Sequence, residues 1–273
     1  MFEKTTTFNK LIKLLKDNLI ENPKNQLEIL CLELLGINKS DLILLKSFTK
    51  KQYNILLKAV KKRCKHIPLQ LIIGNSEFLD IKIKESKHTL KPRPETELLT
   101  SIIIEDFLNK QVNILDLCCG SGCIGLSLKK AGHNVTCSDV SGKAIKMTKQ
   151  NAKLNNLKIN VVKSDMFKNI NQTFDVIVSN PPYIKKDDIA QLADEVKLYD
   201  PTIALDGGED GYQFYNIISN QAQKFLNKNG RLYLECGLGQ AKTIKKLLSK
   251  NFKNIKIIND YNNIERFIKA DKK

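Results

Sequence analysis

Short apolar runs alternate with amphipathic segments between residues 112 and 235, and this alternation restricts the fold more than any other feature. Short apolar runs bounded by turn residues are typical of buried strands, whereas a period near 3.6 is typical of helices. Their alternation predicts an α/β fold with a mostly parallel sheet and helices on both faces. The predicted order is strand 112–117, helix 124–130, strand 135–138, helix 144–155, and strands 159–162, 174–179 and 231–235.

Residues 1–67 have a different pattern, with leucines that recur at helical spacing between Leu11 and Leu19. Thr49 and Gln52 have the spacing of a capping box, in which each side chain satisfies the other residue's backbone N–H. Further boundaries are expected where a proline can open a helix, a glycine can end one and a serine can cap one: Pro23, Gly36 and Ser40. This region is predicted to be a small helical bundle used for recognition.

The next region, residues 68–94, is predicted to be a linker that contains a β-hairpin. Apolar and polar residues alternate from Leu79 to Ile83, as expected of one strand of a hairpin. Pro92 and Pro94 then exclude regular structure until the next helix begins. The expected domains are therefore 1–67, 68–94 and 95–273.

Composition narrows the class of protein further. A hydrophobic content of 42% with 27% charged residues is ordinary for a folded globular protein. No uncharged apolar stretch approaches the ~20 residues of a membrane span, and the N-terminal segment lacks the uninterrupted apolar core of a signal peptide. The seven cysteines show no regular pairing, so a reduced, cytoplasmic location is expected.

The chain is strongly basic, because 45 lysines and arginines against 29 acidic residues give a formal net charge of +16. Arginine is the side chain that best fits a phosphate group, yet only four residues are arginines: Arg63, Arg93, Arg231 and Arg266. The many lysines are consistent with a codon bias across a genome or with an acidic or nucleic-acid-containing partner. Charge by itself leaves both interpretations open.

The segment ILDLCCGSGCIGLSL joins an apolar strand to a helix through a glycine-rich turn. Gly120 and Gly122 allow the backbone to approach a ligand at the helix N-terminus. Asp139 follows Gly120 by 19 residues, at the end of the next strand, where a carboxylate can bridge the two hydroxyls of a ribose. The run from Gly120 to Gly125 matches the dinucleotide pattern G-x-G-x-x-G, but the upstream Asp116 is instead typical of sites for S-adenosylmethionine. A glycine turn with only a structural role is the alternative.

Cysteines within this turn suggest a metal site: Cys118, Cys119 and Cys123. Their C-C-x-x-x-C spacing lies inside the turn, with no second Cys/His pair nearby in the sequence. They are therefore interpreted as small residues that line a cofactor loop, and no metal is predicted. The histidines form no triad pattern and are given no role: His66, His88 and His133.

A second chemical signal follows strand 174–179, in the tetrapeptide Asn180-Pro181-Pro182-Tyr183. The prolines stiffen the backbone and remove two N–H donors, which leaves carbonyl groups free to accept hydrogen bonds. The side-chain carbonyl of Asn180 and the Pro181 carbonyl form a pair of acceptors that matches a planar –NH2 group. Tyr183 offers an aromatic face to a flat amide or base. In-line methyl transfer from a sulfonium would place positive charge on that nitrogen, where two acceptors stabilise it. The alternative is a proline turn after an edge strand.

With these segments the chain resembles the release-factor glutamine methyltransferases (PrmC/HemK-like), which modify the glutamine of the Gly-Gly-Gln motif in class 1 peptide-chain release factors. The resemblance extends from about Pro68 to Arg266. Besides the Asn-Pro-Pro-Tyr motif, it is carried by residues 68–78, 91–97 with the signature R-P-E-T-E, 138–141, 164–167 and 195–211.

This resemblance implies a Rossmann-like, seven-stranded class I methyltransferase domain after a small all-α bundle and a β-hairpin linker. It implies S-adenosylmethionine as the methyl donor and release factors as the protein substrate, docked by the helical domain. A monomer with no membrane association and no direct nucleic-acid binding is expected. The residues expected to act in catalysis are Asn180, Pro181, Pro182 and Tyr183. Those expected to bind the cofactor are Asp116, Cys118, Cys119, Gly120, Ser121, Gly122, Asp139, Val140, Asp165, Met166 and Asn180.

The sequence departs from the family pattern in three places. Cys118 and Cys119 replace Gly-Thr, so the turn is expected to have less unusual backbone angles or a slightly altered cofactor contact. Asp200 replaces the glutamate preferred before Pro201. Asn263 replaces a glycine, and asparagine tolerates a positive φ better than most residues.

Two other functions stay open on the residues alone. The tetrapeptide fits the exocyclic amines of adenine or guanine equally well, so a DNA or RNA methyltransferase is the alternative enzyme, and the basic charge favours it. A cofactor-binding module that regulates another protein is the non-enzymatic alternative. The R-P-E-T-E stretch, the scarcity of arginine and the helical domain favour the protein substrate.

Overall fold

The computed structural model describes residues 1–273, which form two compact units. The first unit, called here the helical unit, contains residues 1–75 together with residues 194–199. The second, called the sheet unit, contains residues 76–193 and 200–273. The predicted division at residues 67 and 94 stays a prediction.

The helical unit is built around a core of buried leucines, with Leu11, Leu27 and Leu56 inaccessible to solvent. A two-stranded ribbon, β1 (Phe2–Glu3) and β2 (Ser47–Phe48), pairs antiparallel beside this core. Its helices are α1 (Lys4–Asp17), α2 (Pro23–Leu35), α3 (Lys39–Leu44), α4 (Lys50–Arg63) and α5 (Leu69–Ile73), and residues Asp194–Lys197, numbered α9 in chain order, add one more turn.

Most of the predicted helix boundaries in this unit are confirmed. Pro23 opens α2, Gly36 ends it in a left-handed conformation, and Thr49 and Gln52 form the expected capping box of α4. The prediction for Ser40 was wrong, because the side chain of Asn38 caps α3 and Ser40 lies inside the helix. Leu19 lies beyond the end of α1, with φ of 56° and 86% of its surface exposed, since the helix ends at Asp17.

The expected hairpin is formed by β3 (Asn75–Phe78), which enters the sheet unit at Ser76, and β4 (Ile81–Lys84), and Leu79 lies in its turn and not in a strand. The elements that follow are α6 (Pro94–Asp106), β5 (Asn113–Leu117), α7 (Cys123–Lys130), β6 (Asn134–Asp139), α8 (Gly142–Leu154), β7 (Asn160–Lys163), β8 (Phe174–Ser179), α10 (Gln213–Gln221), β9 (Leu226–Glu235), α11 (Ala241–Leu248), β10 (Phe252–Asn259) and β11 (Glu265–Lys272). Short 3-10 turns lie at Lys186–Gln191, Thr202–Ala204 and Ala222–Phe225.

The central sheet has seven strands in the order β10-β11-β9-β8-β5-β6-β7. Strands β9, β8, β5, β6 and β7 run parallel, and β11 is antiparallel to both of its neighbours. Two apolar clusters of buried side chains cover the two faces of this sheet. The predicted α/β class with a seven-stranded, mostly parallel sheet is therefore confirmed.

The hairpin is fastened to helix α8 by two asparagine side chains. Asn155 accepts from the Lys82 backbone N–H at 2.9 Å and donates to its carbonyl at 2.7 Å. Asn151, which is fully buried, accepts from the Lys84 N–H at 2.9 Å and donates to the Ser121 carbonyl at 2.9 Å. Side chains on α8 and at its C-cap thus satisfy the edge of the hairpin and hold the glycine-rich turn. None of the helices is both long and apolar enough for a membrane span.

Candidate active site

The predicted site residues converge at the carboxyl ends of the parallel strands, where open α/β sheets bind ligands. A cleft with a cavity volume of about 70 Å³, open to solvent, lies there between the glycine-rich turn and the Asn-Pro-Pro-Tyr segment. Its walls are formed by residues 88–92, Thr96, residues 118–121, Cys123, Ile124, Asn180, Pro182 and Ala204. The structure therefore brings the two sequence motifs to one cavity.

The glycine-rich turn has three residues in the left-handed region, Cys118, Gly120 and Gly122, with φ of 62°, 56° and 82°. A Cβ at Gly120 would meet nothing within 4 Å, so that position opens onto free space, whereas one at Gly122 would lie 2.7 Å from Thr148. Cys118 itself adopts the left-handed conformation, so the expectation of less unusual backbone angles is wrong, and the alternative of a slightly altered cofactor contact stays a prediction. The turn thus keeps its shape without a glycine at that position.

Asp139 lies beside this turn at the end of β6. Its two carboxylate oxygens accept from the Gly120 N–H at 2.9 Å and the Ser141 N–H at 2.8 Å. Burial raises the pKa of Asp139, and the backbone N–H donors of Ser141 and Gly120 oppose that rise. A carboxylate has about four acceptor positions, so Asp139 can also receive ribose hydroxyls. The open space over Gly120 and this carboxylate fit the ribose of S-adenosylmethionine.

Asp116 lies deeper, fully buried in β5, and does not line the cleft. One oxygen accepts from the Gly125 N–H at 2.9 Å, and the other has no hydrogen-bond partner. Burial raises the pKa of Asp116 to about 7. Its visible role is to hold the first turn of α7 against the sheet.

Of the other residues predicted to bind the cofactor, some line the cleft and others lie outside it. Ser121 is buried in the cleft wall, and Val140 lies 44% exposed just after β6. Met166 is buried with φ of 48°, and its sulfur lies 3.9 Å from that of Cys118. Asp165 is exposed and pairs with Lys168 at 2.5 Å. Val140, Asp165 and Met166 follow strands β6 and β7 and do not line the cleft.

Asn180 follows β8 directly and lines the cleft. Its side-chain nitrogen Nδ2 donates to Thr96 Oγ1 at 3.4 Å, which leaves Oδ1 free to accept. The backbone carbonyls of Asn180 and Pro181 accept no backbone hydrogen bond. The pair of acceptors expected from the sequence is thus unoccupied by the protein itself.

Tyr183 is fixed in a close-fitting cradle of glycines. A Cβ at Gly207 would lie 2.8 Å from the Tyr183 backbone, one at Gly211 2.7 Å from its carbonyl oxygen, and one at Gly237 3.0 Å from its ring. Gln240 Nε2 donates to the Tyr183 carbonyl at 3.0 Å. Burial raises the pKa of Tyr183 to about 12, so the ring stays a neutral phenol.

Several residues of the site carry no sequence signal of their own. Glu235 is the last residue of β9, the strand that pairs with β8, and Gln240 directly precedes α11. Thr96 stands inside the R-P-E-T-E signature without an assigned role. Asp200, the departure before Pro201, is buried and pairs with Lys91 and with Arg93, the latter at 3.2 Å. The one sequence signal that could have indicated Glu235 as a site residue is the position of a charged side chain at the end of a strand that is otherwise apolar.

The fold and this site define the class of S-adenosylmethionine-dependent, class I methyltransferases. A methyltransferase from Pyrococcus furiosus has the same fold, with a TM-score of 0.56 at 20% identity over 77% of this chain and 96% of its own. A T. thermophilus 16S rRNA N2 G1207 methyltransferase, solved in complex with AdoMet and guanosine, gives a TM-score of 0.55 at 19% identity over 73% of this chain and 50% of its own.

Sequence comparison gives the family. The model of the methyltransferase small domain matches residues 94–197, and that of the PrmC N-terminal domain matches residues 7–74. A release factor glutamine methyltransferase of Thermodesulfovibrio yellowstonii is 40% identical over 90% of this chain and 91% of its own length. One from Fusobacterium nucleatum is 36% identical over 99% of this chain and 79% of its own. The chain belongs to the release factor glutamine methyltransferase family.

Proposed function

We propose that the chain methylates the side-chain amide nitrogen, N5, of the glutamine in the Gly-Gly-Gln motif of class 1 release factors. The observation that carries this proposal is the pair of unoccupied acceptors beside the cleft, Asn180 Oδ1 and the Pro181 carbonyl. A primary amide offers two N–H donors in one plane, which these acceptors can bind together. Family membership supports the choice of a glutamine over other amides.

The chain's own residues would bind the cofactor and orient the acceptor nitrogen. Asp139 and the backbone around Gly120 are suited to hold S-adenosylmethionine, which supplies an electrophilic methyl group on a sulfonium. Asn180 and Pro181 would hold the amide so that its nitrogen faces the methyl group, and Tyr183 would pack against the flat amide. As positive charge grows on the nitrogen, the two oxygens stabilise it, and its proton can leave after transfer.

Methylation of a purified release factor with radiolabelled S-adenosylmethionine tests this proposal. We expect label in the peptide that contains Gly-Gly-Gln, and none when its glutamine is replaced by alanine. Total nucleic acid is offered in a parallel reaction, and nuclease treatment separates the two substrates. Label that enters nucleic acid and not the release factor would contradict the proposal and support the exocyclic-amine alternative.

We also infer a cytoplasmic monomer whose helical unit docks the release factor. All seven cysteines are free, which is consistent with a reducing compartment. Light scattering during gel filtration should give the 31.0 kDa mass of one chain. A stable dimer at micromolar concentration would contradict the monomer.

A further inference from the structure

A chain of buried polar groups leads from the acceptor Asn180 into the protein. Asn180 Nδ2 donates to Thr96 Oγ1 at 3.4 Å, and Thr96 Oγ1 donates to Glu235 Oε2 at 2.8 Å. Thr96 and Glu235 are 3% and 2% exposed, so water does not offer them other partners. These three residues come from the end of β8, the first turn of α6 and the end of β9.

The direction of these hydrogen bonds follows from what each group can donate. An ionised carboxylate only accepts, so the single proton of the Thr96 hydroxyl must point at Glu235. The Thr96 oxygen is then left as an acceptor, and Asn180 must present its –NH2 group to it. The opposite end of the same amide, Oδ1, is then left free to accept, on a residue that lines the cleft.

We propose that Thr96 and Glu235 are positioning residues that fix the orientation of the Asn180 amide and so make Asn180 an acceptor for the substrate. This rests on the proposed role of Asn180. With the hydroxyl absent, the amide loses its partner at Thr96, and only the carboxylate of Glu235 is left to orient it. A turned amide would present its own N–H groups to the glutamine –NH2 and repel it. An acceptor of fixed orientation is needed for an amide substrate, because two donors cannot bind each other.

Protonation of Glu235 would remove this control. A neutral carboxylic acid can donate to Thr96, which frees the hydroxyl proton to point at Asn180 and to favour the turned amide. Burial raises the pKa of Glu235 to about 7, and hydrogen bonding from Thr96, the charge of Arg266 and the Asn180 amide oppose that rise. The other titratable groups that face Glu235 are Glu95, Tyr183, Tyr215, Cys123 and Cys236. The acceptor orientation is thus maintained above neutral pH and lost below it.

The test compares Thr96→Val, Thr96→Ser and Glu235→Gln with the wild-type full chain in the release-factor methylation assay. Thr96→Val should lower kcat by on the order of tenfold to a hundredfold while the Kd for S-adenosylmethionine stays within about twofold. Thr96→Ser keeps the hydroxyl and should restore kcat to within about threefold of wild type. Thr100→Val is the matched control, because Thr100 is equally buried one turn along α6 and its hydroxyl bonds only the Thr96 carbonyl, at 2.8 Å.

The pH profile supplies a readout that a merely structural role would not move. Wild-type kcat should fall about tenfold for each unit below pH 7, and Glu235→Gln, which cannot titrate, should have a lower kcat that stays flat between pH 6 and 8. If Thr96→Val had the same kcat as the wild type, or if the kcat of Glu235→Gln still fell below pH 7, the positioning role would be overturned. Either result would leave the proposed function intact. Absence of release-factor methylation by the wild-type chain would overturn both. Should Thr96→Val fail to fold, the profile of Glu235→Gln decides.

Discussion

Cys118 adopts the left-handed conformation, which costs a residue other than glycine about 1–2 kcal/mol. Hydrogen bonds of the neighbouring residue hold it there. The next residue, Cys119, donates its N–H to the Ser138 carbonyl at 2.9 Å and accepts from the Gly122 N–H at 2.8 Å. The turn is therefore fixed by hydrogen bonds on the C-terminal side of Cys118. A site that must present backbone to a ligand holds its shape in this way even when one glycine is absent.

Two variants at the residue scale should separate acceptor binding from cofactor binding. Asn180→Ala removes one of the two acceptors, so kcat should fall by at least about a hundredfold while the cofactor Kd changes little. Asp139→Ala should do the reverse and raise the cofactor Kd by on the order of tenfold or more, because it removes the carboxylate beside Gly120. Isothermal titration with S-adenosylmethionine and steady-state methylation measure the two effects.

The matched controls are Asn109→Ala and Asp80→Ala, since both residues are exposed and lie outside the cleft. Neither control should change kcat or Kd by more than about twofold. Normal turnover in Asn180→Ala would show that Asn180 has no catalytic role. Unchanged cofactor affinity in Asp139→Ala would show that Asp139 does not bind the ribose.

At the scale of elements, helix α7 lies so close to the sheet that only glycine fits at one position. A Cβ at Gly125 would lie 2.4 Å from Cys137 Sγ and 2.9 Å from Asp116 Oδ2. Gly125→Ala should therefore lower the free energy of unfolding by about 1–3 kcal/mol, as overpacked cores do. Urea unfolding followed by circular dichroism measures this loss.

Gly142→Ala is the control for that experiment. Gly142 is the first residue of α8, and its nearest neighbour is the Lys163 ammonium at 4.0 Å. Alanine should be neutral there or stabilise by up to about 1 kcal/mol, because it has the higher helix propensity. If both variants were equally stable, the close approach of α7 to the sheet would be refuted.

Arg63 joins three segments of the helical unit. It donates to Gln26 at 2.6 Å and to the Ile67 carbonyl at 3.2 Å, and it forms an ion pair with Glu195. Arg63→Ala should cost about 2 kcal/mol, since the arginine is buried and bonded on all sides. Glu195→Ala should cost less, because its side chain is 39% exposed.

A double-mutant cycle on Arg63 and Glu195 isolates the pair. We expect a coupling energy of about 1 kcal/mol, measured from the urea unfolding of the four chains. Amide hydrogen exchange in α4 should report the same loss locally. A coupling energy of zero would show that Arg63 stabilises the unit through its other two bonds alone.

The parallel strands and their helices could be predicted because their signals are local. An apolar run before a glycine turn specifies β5 without reference to distant residues. The bounds of β10 and β11 were not predicted, since β10 contains register shifts and a left-handed Asn254 that interrupt its alternation.

In the site, the motifs around Gly120 and Asn180 were found, whereas Thr96, Glu235 and Gln240 act through partners distant in sequence. The separation between Thr96 and Glu235 is 139 residues, and sequence periodicity carries no information over that distance.

At the scale of the whole molecule, the net charge of +16 affects the rate at which the chain associates with a substrate protein. If it attracts an acidic release factor, kcat/KM should fall on the order of tenfold between 50 and 500 mM NaCl, because salt screens steering. A short uncharged peptide that contains Gly-Gly-Gln is the control and should show little dependence. A kcat/KM for the full release factor that does not change with salt would leave codon bias as the account of the lysines.

The assignment of residues 194–199 to the helical unit has a consequence for the order in which the chain is made. Residues 1–75 are synthesised first, but the partner of Arg63 is at position 195. At about 5–20 residues per second, a ribosome needs roughly 6–25 s to add the intervening stretch. The glycine-rich turn and the Asn-Pro-Pro-Tyr segment are both translated during that interval. The helical unit is thus begun first but is complete only when residue 199 has been added, and a pause in translation before residue 195 would leave Arg63 without its carboxylate partner.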